Sequence, residues 1–323
     1  MENLELAVGA EAAGIRFDQF LHRSVTGISR HDVQRLILLS GVRSSASGAL
    51  QRIKGRQVEL GDRFVVDPSV LDERPQDERR TLARKRHDVL LLAEGDDWAV
   101  LRKPAGLGSV ARFWGDTLHF AAYAREIMEQ RRQDFRGDAL KDCGLVHRLD
   151  FGTSGGCVLG RDARALAELI AQRERGDLSR TYWAIVANGV PGEGTIDEPI
   201  AHHPRDPASM VVVSDAGRRQ GAYRGEPQPA QTRFTVLARS AEKSLLEVTL
   251  VGGRRHQIRV HLASLGYPVL GDGLYGPLAA ERLALHATYV RFTAPGGSET
   301  VVVGAEPGDH FWTFAPTLVR DLE

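Results

Sequence analysis

The chain has 323 residues, long enough for a sizeable core and more than one domain. Its 42% hydrophobic and 26% charged residues are ordinary for a soluble globular protein, and no apolar run approaches the roughly 20 residues that span a bilayer. Lys plus Arg and Asp plus Glu are each 42, so the formal net charge is zero; this speaks against a chain-wide basic field but not against a local basic face.

The N-terminus reads Met1-Glu-Asn-Leu-Glu-Leu, acidic and without the basic start and apolar core of a signal peptide, so a cytoplasmic protein is expected. Residues 14–70 read as a small first domain. Ile15, Phe17, Phe20 and Leu21 recur at helical spacing, and Gly27 breaks that helix. Ser29 is a good N-cap with Asp32 three residues on; Val33, Leu36 and Ile37 form the next apolar face, and Gly41 closes it. Strand-like pieces follow at 41–43, 57–60 and 63–67, with a Gly61-Asp62 turn. Residues 71–88 are charge-dense, contain Pro75 and show no apolar periodicity, which predicts an interdomain linker.

A second domain is predicted over 89–316. Strands are expected at 89–93, 98–102, 157–161, 182–187, 230–237 and 245–251. Asp162 caps a helix ending at Gly176, and residues 256–265 form another, stopped by Gly266. Strands outnumber helices without alternating with them. The expected class is therefore α+β, with a mixed, largely antiparallel central sheet. The two cysteines, Cys143 and Cys157, form no Cys-x-x-Cys pair and are expected to be reduced and structural.

The densest chemistry lies in residues 144–156, Gly-Leu-Val-His-Arg-Leu-Asp-Phe-Gly-Thr-Ser-Gly-Gly. Asp150 follows Arg148 by two, so on an extended strand both share a face. A guanidinium beside a carboxylate favours its ionised form, and the Gly-rich run lets the backbone turn beneath it. Taken alone, an Asp in such a turn is more often a cap. Residues 152–156 also spell Gly-x-Ser-x-Gly, but a hydrolase elbow needs a helix directly after the serine, and Cys157-Val-Leu reads as strand. Residues 271–276 spell Gly-x-Gly-x-x-Gly with too little chain behind them for a dinucleotide domain and no acidic residue about 20 positions on. His202 and His203 have no third ligand at useful spacing, so no metal site is predicted.

Residues 147–155 match His-Arg-Leu-Asp-x-x-Thr-Ser-Gly, and in this the chain resembles the RluA family of pseudouridine synthases. Further stretches agree in the same order: residues 101–106 with Lys103-Pro, 179–186 with Tyr182, 253–262 with Arg254, His256 and Arg259, 267–276 with Gly271-Asp272 and Tyr275-Gly276, and His286-Ala287. The front domain resembles an S4-like RNA-binding module at Arg16, Asp18, Phe20, Leu21, Ser29, Arg30, Gln34, Leu36, Ile37, Gly41, Gly61 and Asp62, with residues 43–48 replacing its usual Val-Asn-Gly.

The resemblance implies isomerisation of uridine in RNA to pseudouridine, with no metal and no external cofactor. Asp150 would be the essential carboxylate, adding to the base, attacking C1′ or taking the C2′ proton. Arg259 would pair with it, Arg148 would support it and hold the nucleotide out of its stack, and Tyr182 would stack on the uracil. Arg254, His256, His147, Lys103, Arg30 and Arg35 would contact the substrate RNA. The expected partner is ribosomal RNA, with transfer RNA as an alternative; no DNA or membrane partner is expected, and the protein is expected to be a monomer. Phe151, Arg180 and Arg255 depart from the residues usual in their slots, and Arg180 keeps a charge while changing its hydrogen-bond geometry. The competing reading is a catalytically inactive RNA-binding or ribosome-assembly protein of the same fold. Retention of Asp150, Arg148, Tyr182 and Arg259 together speaks against it.

Overall fold

A computed structural model describes residues 3–39, 41–51, 56–72, 74–131, 140–187, 189–214, 222–276 and 282–315. The chain forms two compact units, Met1–Arg84 with Val110–Ala122, and Lys85–Ser109 with Tyr123–Glu323.

The first unit begins with β1 (Leu4–Ala7), then α1 (Phe17–Ser24), α2 (Arg30–Leu38), β2 (Val42–Ser44), β3 (Arg63–Val66) and α3 (Gln76–Arg84). Its antiparallel sheet has the order β1-β3-β2. The apolar spacing read from α1 and α2 places Phe17, Phe20, Leu21, Leu36 and Ile37 in one core with Phe64. Ser29 starts α2 as a cap: its Oγ accepts from the Asp32 amide at 3.0 Å and donates to the Asp32 carboxylate at 2.8 Å. Residues 57–60 form no regular strand; Gln57 makes one isolated bridge to Arg16. The stretch expected to be a linker contains α3, which buries Leu82. It also contains Arg74, whose guanidinium is 4% exposed and ion-paired to Asp72 at 2.6 Å and Asp116 at 2.8 Å. One buried apolar residue and a buried charge triad leave no apolar period to read.

The second unit is built on a nine-stranded sheet. Its strands are β4 (Leu90–Glu94), β5 (Trp98–Lys103), β6 (Ser154–Gly160), β7 (Ser179–Ala187), β8 (Glu193–Asp197), β12 (Gln231–Arg239), β13 (Lys243–Val251), β14 (Leu285–Thr293) and β15 (Thr300–Gly304). They run in the order β4-β5-β6-β14-β7-β13-β12-β8, with β15 on β14. Every pairing is antiparallel except β6 with β14, which gives the mixed, largely antiparallel sheet of an α+β fold. A small sheet of β9 (Ile200–His202), β10 (Met210–Val212) and β11 (Arg224–Gln228) stands beside it in sequence. The helices are α4 (Phe120–Arg131), which belongs to this unit from Tyr123 on, α5 (Ala163–Arg175), α6 (Gln257–Ser264) and the short α7 (Asp309–Trp312). Helix α5 starts where Asp162 accepts from the Ala165 amide at 2.7 Å and stops at Gly176, whose φ is 86°. Among the described residues no helix is long and apolar enough to cross a membrane.

The parallel junction of β6 and β14 requires a glycine. Gly155 has φ +125°, and a Cβ there would lie 2.2 Å from the Ala287 carbonyl oxygen. Gly155→Ala is expected to cost at least about 2 kcal/mol of stability, read as a lowered urea midpoint. An unchanged midpoint would mean that the two strands can part without loss.

Candidate active site

Residues 147–150 are extended but belong to no regular strand; β6 begins only at Ser154. The expected strand delivering Asp150 is therefore absent. Strand β6 is paired by β5 along one side and by β14 at Ser154 and Gly155, so the incoming segment meets it near its far end, Leu145 bridging Leu159 and Val146 and His147 bonding Val158. Around Asp150 itself, hydrogen bonds from Ser109, Gly106 and Lys103 fix the segment. Ser109 Oγ accepts from the Leu149 amide at 3.0 Å and donates to the Leu149 carbonyl at 2.6 Å. On the other side of Asp150, the Phe151 carbonyl accepts from the Gly106 amide at 2.8 Å and from Lys103 Nζ at 3.4 Å. The Thr153 amide closes the turn by donating to the Asp150 carbonyl at 3.1 Å.

The Asp150 carboxylate meets α6 at Arg259, whose Nη1 donates to Oδ2 at 3.1 Å. Arg259 is in turn held bidentately by Asp272, Nε to Oδ2 at 2.7 Å and Nη2 to Oδ1 at 2.8 Å. Such a fork fixes a guanidinium in direction as well as position. The Asp272 side chain is fully buried, and its Oδ1 also accepts from the Leu274 and Tyr275 amides at 3.0 and 3.2 Å. Burial opposes the charge on Asp272, yet Arg259 and these amides hold its carboxyl below the usual 3.8. The stabilisation this gives is complete above about pH 4 and is lost as pH falls through the lowered value. Burial likewise opposes the charge on Arg259, but Asp272 and Asp150 raise its pKa above the ordinary guanidinium value.

His256 opens α6 with φ 55°, a left-handed conformation that turns its ring toward the carboxylate, Nε2 lying 3.9 Å from Asp150 Oδ2. Burial lowers its pKa more than Asp150 raises it, so the ring is neutral at pH 7. The Tyr275 hydroxyl lies 2.9 Å from His256 Nδ1 and accepts from the Met210 amide at 2.7 Å, while the Tyr275 ring lies under the Arg259 guanidinium. Burial raises the Tyr275 phenol to about 12, which keeps it a neutral hydroxyl. Gln257 locks the preceding loop: its Nε2 donates to the Gln231 and Val251 carbonyls and its Oε1 accepts from the Arg254 amide.

Asp150, Arg148, Tyr182, Arg254, His256 and Arg259 line one pocket, so six of the ten predicted site residues meet there. Arg148 is exposed at its rim, whereas Tyr182 on β7 is 4% exposed and burial raises its phenol pKa. Two expectations are corrected. His147 is 4% exposed and does not line the pocket; its Nε2 accepts from the Val158 amide at 3.3 Å, and burial holds its pKa well below 6.5. Lys103 is fully buried, and its Nζ donates to the carbonyls of Pro104, Leu107 and Phe151, tying down the loop behind Asp150 rather than facing substrate. Burial pushes its pKa down to about 7. Arg30 and Arg35 lie on α2 of the first unit; Arg30 is exposed, and Arg35 donates to the Leu71 carbonyl at 3.2 Å.

Lys103→Met leaves those carbonyls without their donor and is expected to cost about 2 kcal/mol of stability, with a lower rate from a looser Asp150. Equilibrium urea unfolding measures the first effect; an unaltered midpoint would contradict the positioning role.

Asp272, Tyr275, Ser109 and Gln257 were not singled out from the sequence. Asp272 and Tyr275 stood in matched stretches and carried that signal; Ser109 carried none. Ser154 is the first residue of β6 and no helix directly follows it, so the hydrolase elbow is absent. Its hydroxyl accepts from Arg282 Nη2 at 2.8 Å and donates to His286 Nδ1 at 2.7 Å, with His286 Nε2 donating to the Ala305 carbonyl. Burial lowers the His286 pKa to about 4, and this chain ties β6 to β14.

The model of a family described as RNA pseudouridylate synthase matches residues 97–264. A protein of Chloroflexus aurantiacus named an uncharacterized RNA pseudouridine synthase is 42% identical over 156 residues, 47% of this chain and 46% of that protein. A ribosomal large subunit pseudouridine synthase D of Zymomonas mobilis is 30% identical over 95% of this chain and 94% of its own length. Among solved structures, human RNA pseudouridylate synthase domain containing 1 shares the fold with a TM-score of 0.55 at 23% identity, over 73% of this chain and 88% of that one. Asp150 and Arg259 both lie within the matched residues 97–264, and with a relative 30% identical over nearly its whole length this chain belongs to the RNA pseudouridylate synthase family.

Proposed function

We propose that this pseudouridine synthase acts on ribosomal RNA of the large subunit, with Asp150 as its reacting carboxylate. The observation that carries the reading is the Asp150–Arg259–Asp272 chain, in which a buried, forked ion pair aims a single guanidinium at the Asp150 carboxylate. The reaction breaks C1′–N1 and rejoins the base through C5, so a positioned carboxylate has to meet the sugar or the base outside the RNA stack. Tyr182 offers a flat, neutral surface for the extruded uracil, and the exposed Arg148 and Arg254 at the pocket suit backbone phosphates. The ribosomal target rests on full-length similarity to relatives named for the large ribosomal subunit, including the Zymomonas mobilis protein and a pseudouridine synthase C of Vibrio cholerae.

In this reading the first unit is an S4-like RNA-binding module that adds affinity through α2. Arg30→Glu is expected to weaken RNA binding about threefold to tenfold and to lower the salt slope by about one. Binding titrations at several salt concentrations measure both; an unchanged slope would remove Arg30 from the interface. The target is tested by mapping pseudouridines in cellular RNA after deletion of the gene. Loss of one or more sites from large-subunit ribosomal RNA, restored by wild type and not by Asp150→Asn, is the expected result. Loss confined to transfer RNA would overturn it.

A further inference from the structure

We infer that Arg180 is a further catalytic residue, hydrogen-bonding a carbonyl oxygen of the uracil and stabilising the negative charge the base carries once C1′–N1 has broken. This rests on the reading of the Asp150 pocket as the isomerisation site. Arg180 lies on β7 two residues before Tyr182, so both side chains leave the same face of the strand, and both line the pocket. Arg180 is only 8% exposed. Among the described residues it forms no ion pair, and its Nε is buried without a hydrogen-bond partner. A guanidinium in that setting is costly unless something anionic or strongly accepting meets it. Thr153 Oγ1, 2% exposed and lining the same pocket, is a second buried polar atom without a partner.

The surroundings make room for this charge. Gly253 has φ +63°, and a Cβ there would lie 2.4 Å from Arg180 Nη2, so the tip of the guanidinium packs directly against that glycine turn. Its burial separates it from the other cations: Arg148 and Arg254 are exposed, where phosphates would run, while Arg180 is buried on the strand face it shares with Tyr182. At that depth the substrate offers uracil oxygens. When C1′–N1 breaks, the electron pair stays with the base and spreads over N1, O2 and O4. When C5 joins C1′, the C5 proton leaves and N1 takes up a proton, so the base is neutral before and after. A fixed cation at O2 or O4 therefore favours the separated state over both ends of the reaction.

The test is isomerisation of an RNA carrying the mapped target uridine, with kcat and KM determined separately, for wild type, Arg180→Met, Arg180→Gln and Arg180→Lys. The expected result is a kcat lowered about 30-fold in the Met and Gln variants with KM within about threefold of wild type, and most of the rate retained by Lys. Met and Gln both remove the charge, so either folded variant decides the point. A raised KM with a smaller salt slope and unchanged kcat would make Arg180 a phosphate contact and overturn the proposal. Wild-type kcat in a folded Met or Gln variant would overturn it as well. An inactive wild type would instead strike the reading of the whole pocket, which the three variants do not share.

Discussion

Asp150→Asn is expected to bind RNA as wild type does and to lower the isomerisation rate by a factor on the order of 10³ or more. The substitution keeps the size and shape of the side chain and removes only the negative oxygen that can react or accept a proton. Its backbone is held independently, by Ser109 at Leu149 and by Gly106 and Lys103 at Phe151, so the loop stays in place. The RNA affinity comes from cations elsewhere and is not expected to fall. Binding by filter or anisotropy titration and single-turnover isomerisation together separate the two effects. Weakened binding with a proportionate loss of rate would mean that Asp150 is a docking residue and not the reacting one.

Asp272→Ala is expected to lower stability by about 3 kcal/mol and to lose most of the activity. Asp272 is fully buried and Arg259 is 12% exposed, so removing the carboxylate strands a guanidinium in a largely dry site. Arg259 would then swing toward whatever acceptor remains, and its bond to Asp150 would lose its fixed direction. The double variant Arg259→Met with Asp272→Ala removes both charges and is expected to regain much of the stability while remaining inactive. Thermal unfolding and tritium release distinguish these outcomes. A double variant no more stable than Asp272→Ala would show that the packing around the pair, and not the stranded charge, sets the cost.

Much of this was legible because the sequence marks its own boundaries. Helix α5 has an aspartate at its start and a glycine at its end, and both perform those tasks. The strands expected at 230–237 and 245–251 form as β12 and β13, within a residue or two at each end. Strand β11 was not legible: Arg224-Gly-Glu-Pro-Gln is a poor strand sequence that pairs only because β9 lies beside it. Helix α3 is dominated by charge, so one buried leucine left no period. In the site, the meeting of Asp150 with Arg259 followed from resemblance, 109 positions apart in sequence. The clamp on Arg259 by Asp272 is a tertiary contact that no spacing rule supplies. Lys103 and His147 show the opposite error. A polar residue in a functional stretch invites a role toward ligand, whereas both are buried and serve the backbone that carries Asp150.

In the proposed function, the Asp150 carboxylate is the reacting group in the isomerisation of uridine in RNA. The direct measurement is tritium release from cellular RNA labelled at uracil C5, since the C5 proton leaves when C5 joins C1′. Wild type is predicted to release tritium, and Asp150→Asn, folded and bound to the same RNA, is predicted to release none above background. Release by the Asn variant at the wild-type rate, or no release by wild type from any cellular RNA, would contradict the account.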